Sequence, residues 1–308
     1  MKENFKSISL ADLCSWFGVT RQAYYQGRNR VLKDLIEQEI LLDKIFEIRK
    51  NHKRVGGRKL FFKLEDFIKE HNIKMGRDAF FDFLRERNLL IKQRKRYHVT
   101  TNSNHWMKKH PNLIKDIAPL GPNHIWVSDI TYWKTAGGNY YISFITDAYS
   151  RKIVGYHVAD TMETAESLAA LKMAIKTIKM GPYGLIHHSD RGAQYCSSVY
   201  VKALKKNNIG ISMTEKGDPL ENAIAERVNG IIKGEYLFDY EIKSLEKAKV
   251  VLKSVVKLYN DDRPHSSIAY ASPSLVHEND MDIEVKRLWK NYYKRHQVGE
   301  IAINCPSK

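Results

Sequence analysis

Three strand-like runs, at residues 124–133, 140–147 and 152–159, follow one another with only short turns between them. Gly137-Gly138 marks the first turn and Tyr149-Ser150-Arg151 the second, residue types suited to tight connections. The pattern then alternates: a helix at 163–179, a strand at 184–188, a helix at 197–207, a short strand at 209–213 and a long helix at 221–237. Leading strands followed by alternating helices and strands specify an α/β unit, a mixed sheet with helices packed on it.

Three acidic residues sit in telling places within this unit. Asp129 lies inside IWVSDITYW, a run that reads as a central strand, where a carboxylate is costly unless it is charge-paired or metal-bound. Asp190 follows LIHHS and precedes RGAQY, a strand-end position of the kind at which α/β sheets gather their chemistry. Glu226 belongs to ENAIAERVNGIIKGE. There Asn222, Glu226, Asn229 and Lys233 share one helical face, and Ile224, Val228, Ile231 and Ile232 lie on the other. Singly, each acid has a plain reading: a buried Arg partner for Asp129, a turn cap for Asp190, an amphipathic surface helix for Glu226. Together they are oxygen donors of the kind that hard cations such as magnesium require.

At 308 residues, 43% of them hydrophobic, the chain can build one sizeable core and one or two smaller units. No run approaches the roughly 20 apolar residues of a membrane span, and the N-terminus lacks the layout of a signal peptide. A cytoplasmic protein with no membrane partner is expected. The net charge of +16 is uneven: residues 1–120 carry 26 Lys and Arg against 14 Asp and Glu, the remainder 25 against 21. The N-terminal part is thus the footprint for a polyanion, whether DNA, ribosome or membrane surface. Cys14, Cys196 and Cys305 are odd in number and far apart, which indicates reduced thiols, with Cys14 and Cys196 as small core residues.

Residues 9–27 have helix-turn-helix spacing: Ser9 caps a first helix, Gly18 breaks it and Thr20 caps a second. The second helix exposes Arg21 and Gln22 toward phosphates or base edges, with Ala23 and Tyr24 inward; an ordinary helical hairpin fits the same spacing. A connecting helix at 31–50 completes a first unit, 1–50. A second helical unit, 51–104, breaks near Gly76 and ends in the basic run Lys92, Arg94, Lys95 and Arg96, a DNA-contact segment or a solvated strand. GGRK at Gly56–Lys59 lacks the spacing of a nucleotide-binding loop. Proline and glycine mark 105–122 as a linker before the α/β core, 123–280, and a basic tail, 281–308.

The run from Asn123 to about Val276 resembles the integrase catalytic core, of ribonuclease H-like fold, and is most similar to orfB-type transposases of the insertion-sequence three family. WVSDITYW around Asp129, HSDRGAQY around Asp190, ENAIAE ending at Glu226, Lys233 seven residues on, and YNDDRPH at 259–265 carry the resemblance. The 35 residues between Asp190 and Glu226 agree with it. Glu221, where the family usually has Asp, departs from it.

The resemblance implies metal-dependent DNA strand cleavage and strand transfer at the ends of an insertion element. Asp129, Asp190 and Glu226 would coordinate two Mg²⁺ or Mn²⁺ ions, with Asp129, mid-strand, as the bridging ligand. Its partners would be DNA, both element ends and target, further copies of the chain, and an upstream-frame transposase product. His188, Arg191, Gln194, Asn222 and Lys233 are expected near the site or on DNA. Arg263 and His265 are expected on DNA too, unless YNDDRPH is simply a loop that breaks at Pro264. The tail, with Trp289, Tyr292 and Tyr293 among basic residues, is a DNA clamp or an ordinary amphipathic helix. A retroviral-type zinc site is excluded, because Cys14 is the only cysteine before residue 196 and the first histidine is His52. The alternatives are a helix-turn-helix regulator with an inert core and a recombinase with a covalent Tyr or Ser nucleophile, for which no accompanying Arg cluster is seen.

Overall fold

A computed structural model describes residues 8–92, 106–115, 117–178, 184–215 and 222–278. Arg94, Lys95, Arg96 and the tail from 281 onward lie outside them. The chain divides into two compact units, Met1–Ile91 and Lys92–Lys308.

The first unit is helical. Helix α1, Leu10–Trp16, starts where the Ser9 hydroxyl accepts from the Asp12 amide, and left-handed backbone at Gly18, φ +66°, follows its end. Thr20 caps α2, Arg21–Asn51, by accepting from the Ala23 amide. The expected joint between a short second helix and a longer one is absent: α2 runs unbroken for 31 residues. Gly27 is the weakest helix former at that joint, and its cost of about 1 kcal/mol relative to Ala does not interrupt a run of good helix formers. Ala23 and Tyr24, expected inward, are exposed. Only the last turns of α2 reach a core, where Leu41 and Ile45 pack with Leu60 and Leu64 of α3, Gly57–Glu70, and Phe80 and Leu84 of α4, Arg77–Glu86.

The second unit is built on a five-stranded sheet. Its strands are β1, Ile125–Thr135; β2, Gly138–Asp147; β3, Ile153–Ala159; β4, Leu185–Ser189; and β5, Ile209–Met213, in the spatial order β3-β2-β1-β4-β5. The first three strands pair antiparallel across tight turns, whereas β1 with β4 and β4 with β5 run parallel, connected by helical crossovers. This is the mixed, ribonuclease H-like arrangement. Between β2 and β3 the fully buried Asp147 accepts from the Tyr149 and Ser150 amides and from the Ser150 hydroxyl, and so holds the turn.

Period-two alternation assigns the two faces. Trp126 and Ile145 point to a core shared with α5, Thr164–Lys176, α6, Ala193–Cys196, and α7, Ser198–Lys206. Trp133, Ile142 and Phe144 point to the opposite core, shared with α8, Ala223–Ile231, and α9, Leu245–Asp261. A short helix, α10, Pro273–Glu278, follows α9. Gly155 lets α5 lie directly on β3, since a Cβ there would stand 2.3 Å from the Ala170 carbonyl oxygen.

Candidate active site

Alternation along β1 puts Asp129 on the same face as Val127 and Trp133, the face that α8 covers. The β1–β4 ladder ends at the pair Ser128–Ser189. One residue further, Asp129 and Asp190 leave it side by side. Beyond that point β1 continues to Thr135 while β4 has ended, so the two acids stand where one side of β1 opens.

Several neighbours of Asp190 have a physical reason for their identity. His187 is buried against Tyr200, whose hydroxyl lies 3.0 Å from His187 Nε2. His188, also buried, contacts the Ser212 hydroxyl through Nδ1 at 2.8 Å. The Gly192 amide donates to Asp190 Oδ1 at 3.0 Å, and a Cβ on Gly192 would approach that same oxygen to 3.1 Å. Gln194 donates to the Met162 carbonyl, and the buried Tyr195 hydroxyl lies 3.0 Å from Ser128 Oγ. HSDRGAQY is thus a turn that fixes the Asp190 carboxylate from below.

Helix α8 delivers the third acid. The Asn222 side-chain amide donates to the Ser128 carbonyl at 3.0 Å, and that of Asn229 donates to Asp129 Oδ2 at 2.7 Å. These two residues flank the exposed Glu226 on one helical face, and their hydrogen bonds on either side of it bring it near enough for its charge to act on Asp129. Ala225 is small enough to let the helix settle on Ile125 and Val127. Asn229 was visible as a member of this face, but its partner was not.

The electrostatics record the convergence. Burial first, then the Asp190 carboxylate, and to a lesser degree Glu226, push the Asp129 pKa up to about 7, against the Ile130 amide and Asn229, which favour the charged form. Burial, then Tyr200 and the Asp190 and Asp129 carboxylates, also raise Tyr195 well above its ordinary value. Asp129 therefore feels the charge of acids from two other segments of the chain.

Comparison with known proteins bears on what such a site belongs to. The integrase core domain family matches residues 119–219 by one model and 207–273 by a second. The 31 kDa protein of insertion element IS600 from Shigella sonnei is 34% identical over 86% of this chain and 97% of its own length. The transposase for insertion sequence IS904 from Lactococcus lactis is 30% identical over 79% and 96%. The chain belongs to the insertion-sequence three family of integrase-core transposases. Among solved structures, the catalytic core of HTLV-2 integrase in complex with magnesium is 21% identical, covering 52% of this transposase and 99% of that chain at a TM-score of 0.42.

Other residues expected at the site fall into two groups. Arg191 and Lys233 are half-buried, Arg191 directly after Asp190 and Lys233 two turns beyond Glu226 in a π-helical turn, Ile232–Tyr236. Arg21 and Gln22 are exposed at the start of α2 in the helical unit. In contrast, Arg263 is 1% exposed and binds Glu235 through two bonds of 2.7 Å, so its guanidinium is not presented to DNA. His265 is buried beside the Ser267 hydroxyl, Asn222 faces β1, and His188 faces Ser212. All four side chains are buried and engaged within the fold around the site. Their sequence signal, polar residues within motif blocks, does not distinguish a substrate contact from a buried hydrogen bond.

Proposed function

We propose that Asp129, Asp190 and Glu226 form the catalytic set of this transposase and hold divalent cations, Mg²⁺ or Mn²⁺, two per site. The observation that carries the reading is the burial of Asp129 beside Asp190 and, more weakly, Glu226, which raises its pKa and which a cation would relieve. The donors are oxygens, the chemistry these hard ions prefer. Among the described residues no three such groups are closed around one point, so the acids would draw together on binding. Bound metal supplies activation of the attacking oxygen and stabilisation of the leaving one.

The chain's own residues orient the reactants. Asn229 and the Gly192 amide fix the Asp129 and Asp190 carboxylates, and Lys233 and Arg191 offer positive charge to the phosphate. Water attacking a phosphodiester at an element end breaks its bond to the 3′ oxygen and frees a 3′-hydroxyl. That hydroxyl then attacks target DNA, and one P–O bond forms as another breaks, so no ATP is consumed. Arg21, Gln22 and the run Arg94, Lys95 and Arg96 contribute DNA contacts. The transposase acts in the cytoplasm on nucleoid DNA, as an oligomer, with an upstream-frame product as a partner.

Asp129→Asn tests the reading. The variant should bind labelled element ends as the wild type does and lose Mg²⁺-dependent cleavage; cleavage at the wild-type rate would remove Asp129 from the catalytic set. Running the assay with and without the upstream product decides whether this chain acts alone.

A further inference from the structure

Among the described residues of the helical unit, helix α2 holds an apolar arc that nothing covers. From Arg21 to Ile40 none of its residues is buried. Tyr24, Tyr25, Val31, Leu32, Leu35 and Ile36 are between 39% and 61% exposed. At 100° per residue these six fall within an arc of about 140°, with Arg28 and Glu39 in its middle. Isolated surface apolar residues are ordinary, but a continuous row of this kind marks an interaction surface.

The order of residues along the arc selects its occupant. Its midpoint lies between Lys33 and Asp34, and Leu32 and Leu35, Val31 and Ile36, and Arg28 and Glu39 are each placed symmetrically about it. We propose that α2 pairs antiparallel with α2 of a second copy of this chain, about a two-fold axis at that midpoint. Leu32 of one copy then faces Leu35 of the other, and Val31 faces Ile36. Arg28 meets Glu39 at both ends of this apolar centre. A parallel pair would instead set Arg28 on Arg28 and Glu39 on Glu39, so charge complementarity excludes it. The pairing does not depend on which residues catalyse.

Sedimentation equilibrium of the full chain without DNA tests the proposal. The wild type should be dimeric or larger, and L32E/L35E, at exposed positions, should halve the mass while keeping the wild-type circular dichroism spectrum. Arg28→Glu and Glu39→Arg should each weaken association by at least about tenfold through like-charge contacts, and the exchange R28E/E39R should restore it. A wild type that is monomeric at every concentration, or an L32E/L35E variant of unchanged mass, overturns the interface. Failure of the double exchange to restore association overturns the antiparallel register.

Discussion

Asp129 owes its character to a single neighbour on α8 as much as to its strand. Asn229→Ala removes the 2.7 Å hydrogen bond that orients its carboxylate. Loss of such an orienting partner typically costs about 10–100-fold in metal affinity or activity. Metal titration and cleavage rates should therefore fall together while the thermal midpoint stays near wild type; an unchanged metal affinity would confine Asn229 to packing. His187 gives a pH signature. Burial, with a smaller push from His188, lowers its pKa to about 3 from an ordinary 6.5. The unfolded chain therefore takes up a proton below pH 6.5 that the folded chain refuses. The stability this provides is complete above pH 6.5 and is lost as pH falls toward 3, by roughly 1.4 kcal/mol per pH unit at most. Urea midpoints measured from pH 7 to 4 should fall more steeply for the wild type than for His187→Gln.

At the level of elements, the end of α8 is held from outside itself. The π-helical turn that carries Lys233 also carries Glu235, and Glu235 is fixed by the buried Arg263 that follows α9. Arg263→Ala removes both bonds to a largely buried carboxylate and should cost about 3–5 kcal/mol, read as a lower urea midpoint. An unchanged midpoint would mean that Glu235 finds water. The contact of β3 with α5 has no slack either, because the Ala170 carbonyl occupies the space a side chain at Gly155 would need. Gly155→Ala should destabilise by about 1–3 kcal/mol, measured in the same way. The strand runs at 124–133, 140–147 and 152–159 were legible because period-two patterning and turn residues are local signals, and the observed strands overlap all three. The continuity of α2 was not legible, because helix-turn-helix spacing ends one helix near residue 27 and the apolar face of the next begins at 31, whereas the helix formers on both sides of Gly27 outweigh its cost.

For the whole molecule, most of the charge surplus lies in the first 120 residues, at 26 basic against 14 acidic, and the three candidate carboxylates lie in the second unit. Binding to DNA should therefore weaken with salt, and Arg21→Ala should reduce the slope of log affinity against log salt by about 1 if Arg21 neutralises one phosphate. An unaltered slope would place Arg21 off the DNA. The sequence alone determined the α/β class, the three acids and the side-chain face shared by Asn222, Glu226 and Asn229, because strand and helix periodicities are properties of neighbouring residues. Only the tertiary structure decided that β4 ends beside Asp129, that Asn229 reaches that carboxylate, that the fully buried Asp147 clamps a turn, and that Arg263 is spent on Glu235. Those outcomes depend on groups far apart in the chain, where what a polar side chain does is set by the partner that packing brings to it.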